Sequence, residues 1–331
     1  MKKAMKNLSR RDALIIGASS LAALSAPHLA RAQSNKNGTK LRVAKANPHA
    51  ISFAPVDVGI AKGFFPGLDI EVIDFAGSAP AMQGLVSGAA DMYLGGGTDL
   101  AFEVKGVPIT AVAELAGPPL LLCIIVPWDS PIKTTDDLKG KVFQVSSKGS
   151  TTDWLVKKLA ETKGWGPDGI TTVALGGQIP AQVAALKTHQ VDAIVGTASL
   201  AFQLEEKKEG RLLVPTADYV KDFLLHAIFA TNSFIQSDPD TVRAFLKGWF
   251  QSVAFMRANR AETLKIILPV TQVDAFAEGK EYDLVMPMFS ADGKFDAKPL
   301  DVMAQSFVDL KILDHKPDLT KLVTEKYLPS A

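Results

Sequence analysis

From Leu41 to Thr197 the chain switches repeatedly between two rhythms, short runs with strand character and longer amphipathic runs with helical spacing. "LRVAKA" reads as a strand and "PVDVGIAKGFF" as a helix closed by Gly63. "DIEVIDF" alternates with period two, "APAMQGLVSG" is again helical, and "DMYLGG" is a short strand. The idiom then repeats with "KVFQVS", "TTDWLVKKLAETKG", "ITTVAL", "IPAQVAALKTHQ" and "DAIVGT". Strands alternating with helices predict βα units around a largely parallel sheet, an α/β fold. The apolar run "LLLCIIV", closed by Pro119 and Pro127, is too short for a membrane span and predicts a buried strand. "FLLHAIFA" is a second such strand. Beyond it the chain turns helical. In "SDPDTVRAFLKGWFQSVAFMRAN", Asp238 is placed to cap, with Val242, Phe245, Trp249, Val253 and Met256 on one core-facing side.

Two stretches resemble each other. "GLVSGAADMYLGG" (Gly84 to Gly96) and "ALKTHQVDAIVGT" (Ala185 to Thr197) align without gaps at an offset of 101, with Leu85/Leu186, Asp91/Asp192 and Gly95/Gly196 in register. Each copy makes a helix, an acidic turn and a buried strand with glycine at its carboxyl end. Two similar α/β lobes facing across a cleft are the expected product, because such sheets take ligands beyond the carboxyl ends of their strands.

The first 32 residues follow a different logic. Lys2, Lys3, Lys6, Arg10 and Arg11 precede an apolar stretch from Ala13 to Ala26, and "ARA" (Ala30 to Ala32) supplies small residues for cleavage. This is expected to be an export signal, followed by a polar linker over residues 33–40. "LSRRDAL" is similar to a twin-arginine signal with Ala13 where an aromatic is usual, so both that route and the general secretory route stay open. Removing residues 1–32 takes the formal charge from +1 to −4. A mildly acidic protein without a basic stripe is not expected to bind nucleic acid. The single cysteine, Cys123, allows no intrachain disulfide and lies among aliphatics, where packing is its ordinary role.

The chemistry on offer is polar loops rather than a catalytic signature. No H-E-x-x-H, G-x-S-x-G or cysteine-pair spacing occurs, so neither a metal nor a cofactor is expected. "VSSKGSTTDW" is not a phosphate loop, because Lys148 precedes Gly149 instead of following it. What remains is a hydroxyl-rich helix start in which Ser150 and Thr151 either cap the helix or offer donors to a ligand. A helix start contributes about 0.3–1 kcal/mol to anion binding, whereas micromolar affinity needs about 8. Several loops must therefore converge. Those following expected strands are "ANPHA" with Asn47 and His49, "GSAP" with Ser78, "GGGTD" with Gly97 and Thr98, "GGQ" with Gln178, and "GTAS" with Gly196 and Thr197. His226, in its apolar strand, is either a satisfied core histidine or a ligand contact. Lys148 either supplies charge to the pocket or is solvated.

The stretches "PVDVGIAKGFFPGLDIEVIDF", "GSAPAMQGLVSGAADM", "DDLKGKVFQVSSKGSTTDWLVKKL" and "DAIVGTASL" resemble the periplasmic substrate-binding proteins of ABC importers, in the branch serving nitrate, taurine, alkanesulfonates and thiamine precursors. "AKGFF" and "DLKGK" carry the resemblance most strongly. It implies a type II periplasmic-binding-protein fold with two α/β lobes and two crossing strands. The crossings are expected near Ile124 to Pro127 and Ala227 to Thr231. Lobe 1 would comprise residues 41–125 and 230–331, and lobe 2 residues 126–229. The family's ligand loops map onto Asn47 and His49, Ser78, Gly97 and Thr98, and Ser150 and Thr151. The resemblance further implies a monomer that delivers a small solute to an inner-membrane permease without catalysis, but it does not fix the ligand; because the loops carry few charged residues beyond Lys148, an organic anion, a sulfonate or carboxylate with aromatic ones included, is expected. A thiamine precursor is the alternative ligand. The rival class is an enzyme on the same scaffold, such as a desulfinase or a menaquinone-pathway enzyme. A desulfinase needs a reactive cysteine with a cationic neighbour, a setting the sequence around Cys123 does not supply.

Overall fold

The computed structural model describes Gly38 to Ser330, apart from Pro167 and Gly177; the expected signal segment, residues 1–32, lies outside the described residues. The strands are β1 (Thr39–Lys45), β2 (Leu68–Asp74), β3 (Met92–Gly96), β4 (Ile109–Ala116), β5 (Leu122–Pro127), β6 (Val142–Val145), β7 (Thr171–Ala174), β8 (Ala193–Thr197), β9 (Gly210–Pro215) and β10 (His226–Thr231). The α-helices are α1 (Pro55–Lys62), α2 (Ser78–Val86), α3 (Leu100–Val104), α4 (Thr151–Thr162), α5 (Ile179–Lys187), α6 (Ala198–Glu206), α7 (Asn232–Ser237), α8 (Pro239–Ala258), α9 (Arg260–Thr271), α10 (Ala275–Val285) and α11 (Ala297–Asp309). None of these is long and apolar enough to cross a membrane.

Two five-stranded sheets organise the chain, in the orders β2-β1-β3-β10-β4 and β7-β6-β8-β5-β9. In each, the pairs β1–β2 and β1–β3, or β6–β7 and β6–β8, are parallel, and one antiparallel strand is inserted, β10 or β5. The run around Cys123 is buried on both faces of its sheet, since residues 123–126 have no exposed surface. Cys123 and Ile125 pack on the α5/α6 side, while Ile124 and Val126 join the main core.

The repeat is real in backbone detail. Asp91 accepts the Arg42 N–H at 2.9 Å and returns its own N–H to Arg42 O at 2.9 Å. Asp192 does the same with Val142, at 2.8 Å each way. At equivalent positions after their helices, Gly88 and His189 both take left-handed backbone, with φ of 74° and 55°. Glycine does this freely; histidine is strained there. Asp238 caps α8 as expected, accepting the Thr241 N–H at 3.1 Å, and the five predicted core residues of α8 are all buried.

The lobe boundaries need two corrections. β5 pairs with β8 and β9 as part of the second sheet, and β10 lies wholly in the first. The chain therefore changes sheets at Gly117–Leu121 and Tyr219–Leu225, a few residues before the strands that the apolar runs suggested. Apolar density marks burial, and the buried part of each passage is the strand it leads into. Secondly, α10 is not simply part of lobe 1. Its Leu284 packs into the α5/α6 core, its Lys280 pairs with Glu205 at 3.0 Å, and Glu281 accepts the Ser199 N–H at 3.0 Å. Its opposite side holds to α8 and α9 through Tyr282 to Met256 O and a two-point Arg260–Asp283 pair.

Candidate functional site

Topology alone brings two edges together. β4 runs parallel to β3, so the chain leaves the first sheet at its carboxyl edge, and after only Gly117–Leu121 it enters β5, whose first residue pairs with the last of β8. A connection that short spans at most about 20 Å. The return through Tyr219–Leu225 runs from the carboxyl edge of β9 to the start of β10, where His226 pairs with Gly96. Hydrogen bonds pin both passages: Gly97 N–H to Leu225 O at 2.9 Å, Leu225 N–H to Ala116 O at 3.0 Å, and Ala198 N–H to Leu121 O at 2.9 Å. The carboxyl edges of the two sheets consequently face each other, and all eleven candidate residues lie along them.

On the first edge, Asn47 and His49 occupy the exposed loop after β1. Asn47 Oδ1 accepts the His49 N–H at 3.1 Å, and the His49 ring donates through Nδ1 to Val270 O at 2.9 Å. Ser78 opens α2, where the N–H groups of Ser78 and Ala79 have no acceptor among the described residues. Gly97 is fixed by sterics: a Cβ there would lie 2.0 Å from Leu224 O. Thr98 is half-buried beside it. His226 meets Phe53 edge-on, with ring centroids 4.9 Å apart, and its buried Nδ1 has no partner among the described residues. Burial pushes its pKa down to about 3, so the ring is neutral at physiological pH.

The second edge is more committed internally than the sequence implies. Ser150 donates to Ser147 O at 2.7 Å, accepts the Asp153 N–H at 3.3 Å and lies 2.9 Å from the Thr152 hydroxyl, so it acts as the helix cap. Thr151 and Thr152 keep their backbone N–H groups without an acceptor among the described residues. Gln178 is exposed in the loop before α5. Gly196 is packed by Ile125 and Leu200. Thr197 caps α6 by accepting the Leu200 N–H at 3.3 Å, while Ser199 N–H is held by Glu281 and Ala198 N–H by Leu121 O. The start of α6 is thereby closed by the protein's own groups. Lys148 is turned away from the cleft, its ammonium donating to the carbonyl and hydroxyl of Thr172 on the edge strand β7.

Sequence reasoning passed over Asp99, although "GGGTD" contains it. This buried carboxylate accepts at Oδ2 from Tyr93 OH at 2.7 Å, the Ser78 hydroxyl at 2.9 Å and the Gly96 N–H at 2.9 Å. It also passed over Trp154, whose indole donates to Asp309 at 2.9 Å and stacks on Phe223, joining α4, α11 and the second passage. Trp154 could not be found by spacing, because its partners are remote in sequence, and Asp99 stands out only once Ser78, 21 residues away, joins Tyr93 and Gly96 on one oxygen.

Two α/β lobes with facing carboxyl edges and two short passages constitute the periplasmic-binding-protein fold. Residues 50–263, more than half the chain, match the family described as NMT1/THI5 like, and the chain belongs to that family. Among solved structures it is similar to the periplasmic aliphatic sulphonate binding protein SsuA from Escherichia coli, at 19% identity and TM-score 0.72, covering 86% of this chain and 97% of that one. The alkanesulfonate-binding protein SsuA from Xanthomonas axonopodis pv. citri, solved bound to MOPS, matches at 17% identity and TM-score 0.67, covering 87% and 99%. The desulfurization enzyme DSZB shares the fold at 14% identity and TM-score 0.65, covering 87% and 97%. No curated protein matches the sequence.

Proposed function

We propose that the protein is the solute-binding component of an ABC importer, which captures a small organic anion, a sulfonate or carboxylate with aromatic ones included, and delivers it to an inner-membrane permease. The observation that carries this reading is the pair of facing edges, each offering backbone N–H groups without acceptors, at the start of α2 on one and of α4 on the other. Such donors replace an anion's hydration without a cofactor and without bond chemistry. Closure of the lobes follows from the ligand's higher affinity for the closed state. The proposed contacts are Asn47, His49, Ser78, Gly97, Thr98 and His226 on one edge, and the start of α4 at Thr151 with Gln178 on the other. Gly196 and Thr197 shape the floor. We further propose that residues 1–32 are a cleaved export signal, that the mature chain works in the periplasm, and that it is a monomer.

The enzyme reading draws on the shared fold of DSZB, and it requires a thiolate at the cleft. Cys123 is fully buried in β5, and burial together with the nearby Glu281, Asp218 and Glu205 carboxylates pushes its thiol up, away from the reactive form. Thermal-shift titration against sulfonates, aromatic and aliphatic carboxylates, nitrate and pyrimidines tests the proposal. A saturable rise in melting temperature with an organic anion is expected, and it persists in Cys123→Ser. A rise with pyrimidines alone would move the ligand to the thiamine-precursor class. Turnover of a sulfinate that Cys123→Ser abolishes would establish the enzyme instead.

A further inference from the structure

Asp99 receives three donors on one oxygen, which determines the direction of every proton around it. Oδ2 accepts from the Gly96 N–H, from Tyr93 OH and from the Ser78 hydroxyl, at 2.9, 2.7 and 2.9 Å. The Gly96 N–H can only donate; burial raises the Asp99 pKa while the three contacts oppose it, and in the ionised carboxylate both hydroxyls donate to Oδ2 as well. The Ser78 proton is therefore turned inward, and Ser78 Oγ can offer the cleft only lone pairs. The first edge thus presents the Ser78 lone pairs next to the backbone donors at the start of α2.

Resting on the solute-binding reading, we propose that Asp99 is the positioning residue that sets the polarity of Ser78, and that the cognate ligand carries, besides its acidic group, an N–H or O–H donor that Ser78 Oγ receives. A ligand without that donor buries the Ser78 lone pairs unpaired. The loss corresponds to about tenfold in affinity for one unmade bond. In Asp99→Leu no acceptor remains for Ser78, whose proton is free to turn toward the cleft. The preference should then shrink or invert.

The test is the ratio of dissociation constants within matched pairs, measured by calorimetric titration: 2-aminoethanesulfonate against ethanesulfonate, and 4-hydroxybenzoate against benzoate. Loss of rigidity alone would weaken both members of a pair and leave the ratio unchanged. The parent protein is expected to favour the donor-bearing member of the better-binding pair about tenfold. Asp99→Leu should bring that ratio to one or below. Ser78→Ala, a substitution at a half-buried site, should bring it to one even if Asp99→Leu fails to fold. Equal affinity within both pairs in the parent, or a ratio unchanged in both variants, overturns the proposal and leaves the solute-binding reading standing. Absence of binding by all four compounds counts against the organic-anion reading and takes this proposal with it.

Discussion

Glu281 offers a quantitative test of how α10 joins the lobes. Glu281 is only 3% exposed, lies beside the buried Glu278 carboxyl, and holds the Ser199 N–H at the start of α6. Burial first, and Glu278 second, raise its pKa from 4.5 to about 7, against the opposing pull of the Ser199 bonds. Between those values the folded chain holds a proton that the unfolded chain releases. The stabilisation is therefore complete below pH 4.5 and is lost as pH rises through about 7. The displacement corresponds to roughly 3 kcal/mol, or about 6 °C in melting temperature for a chain of this size. Gln at this position keeps an acceptor for Ser199 and removes the titration. Between pH 5.5 and 8.5 about 2 kcal/mol of this is lost, so melting curves should show the parent losing about 4 °C more than Glu281→Gln over that interval. Glu103 and Glu114, raised by burial to about 8 and about 7, contribute slopes of the same sign to both proteins and cancel in the difference. Equal pH dependence of parent and variant would refute the reasoning.

Three further substitutions probe separate parts of the account. Gly97→Ala should cost about 3 kcal/mol or more, read as a fall in melting temperature, because its Cβ meets the Leu224 carbonyl oxygen at 2.0 Å; wild-type stability would show that the second passage can move aside. His189→Gly should stabilise by about 0.5–1 kcal/mol in urea unfolding, since the left-handed backbone there suits glycine; destabilisation would mean that the imidazole makes compensating contacts. Lys148→Ala should leave ligand affinity unchanged while promoting self-association in light scattering, because the lysine covers the free edge of β7; a large loss of affinity would place its charge in the cleft.

Much of the fold is legible in the sequence because burial and periodicity are local properties. The alternation of strands and helices, the repeat around Asp91 and Asp192, and the capped face of α8 all reappear at their expected residues. The passages between sheets were misplaced because a chain crossing between lobes has no period of its own, whereas the strands it feeds are strongly apolar. The site was legible as a set of loops at strand ends, but the direction of each hydrogen bond was not. Ser150 reads as either a cap or a donor until Ser147 O is seen to take its proton, and Gly196 and Thr197 read as a ligand loop until Glu281, more than eighty residues away, is seen to hold the Ser199 N–H behind them. Asp99 ends the loop "GGGTD", yet its importance depends on Tyr93 and Ser78 converging on one oxygen.

The central claim is that the facing edges hold a solute and release it unaltered. Calorimetric titration of the protein with the best compound from the thermal-shift panel, followed by mass spectrometry of the recovered compound, addresses it directly. Saturation at one molecule per chain with the compound returned at its original mass is the predicted result. A product of different mass, or heat that never saturates for any organic anion, would contradict the account.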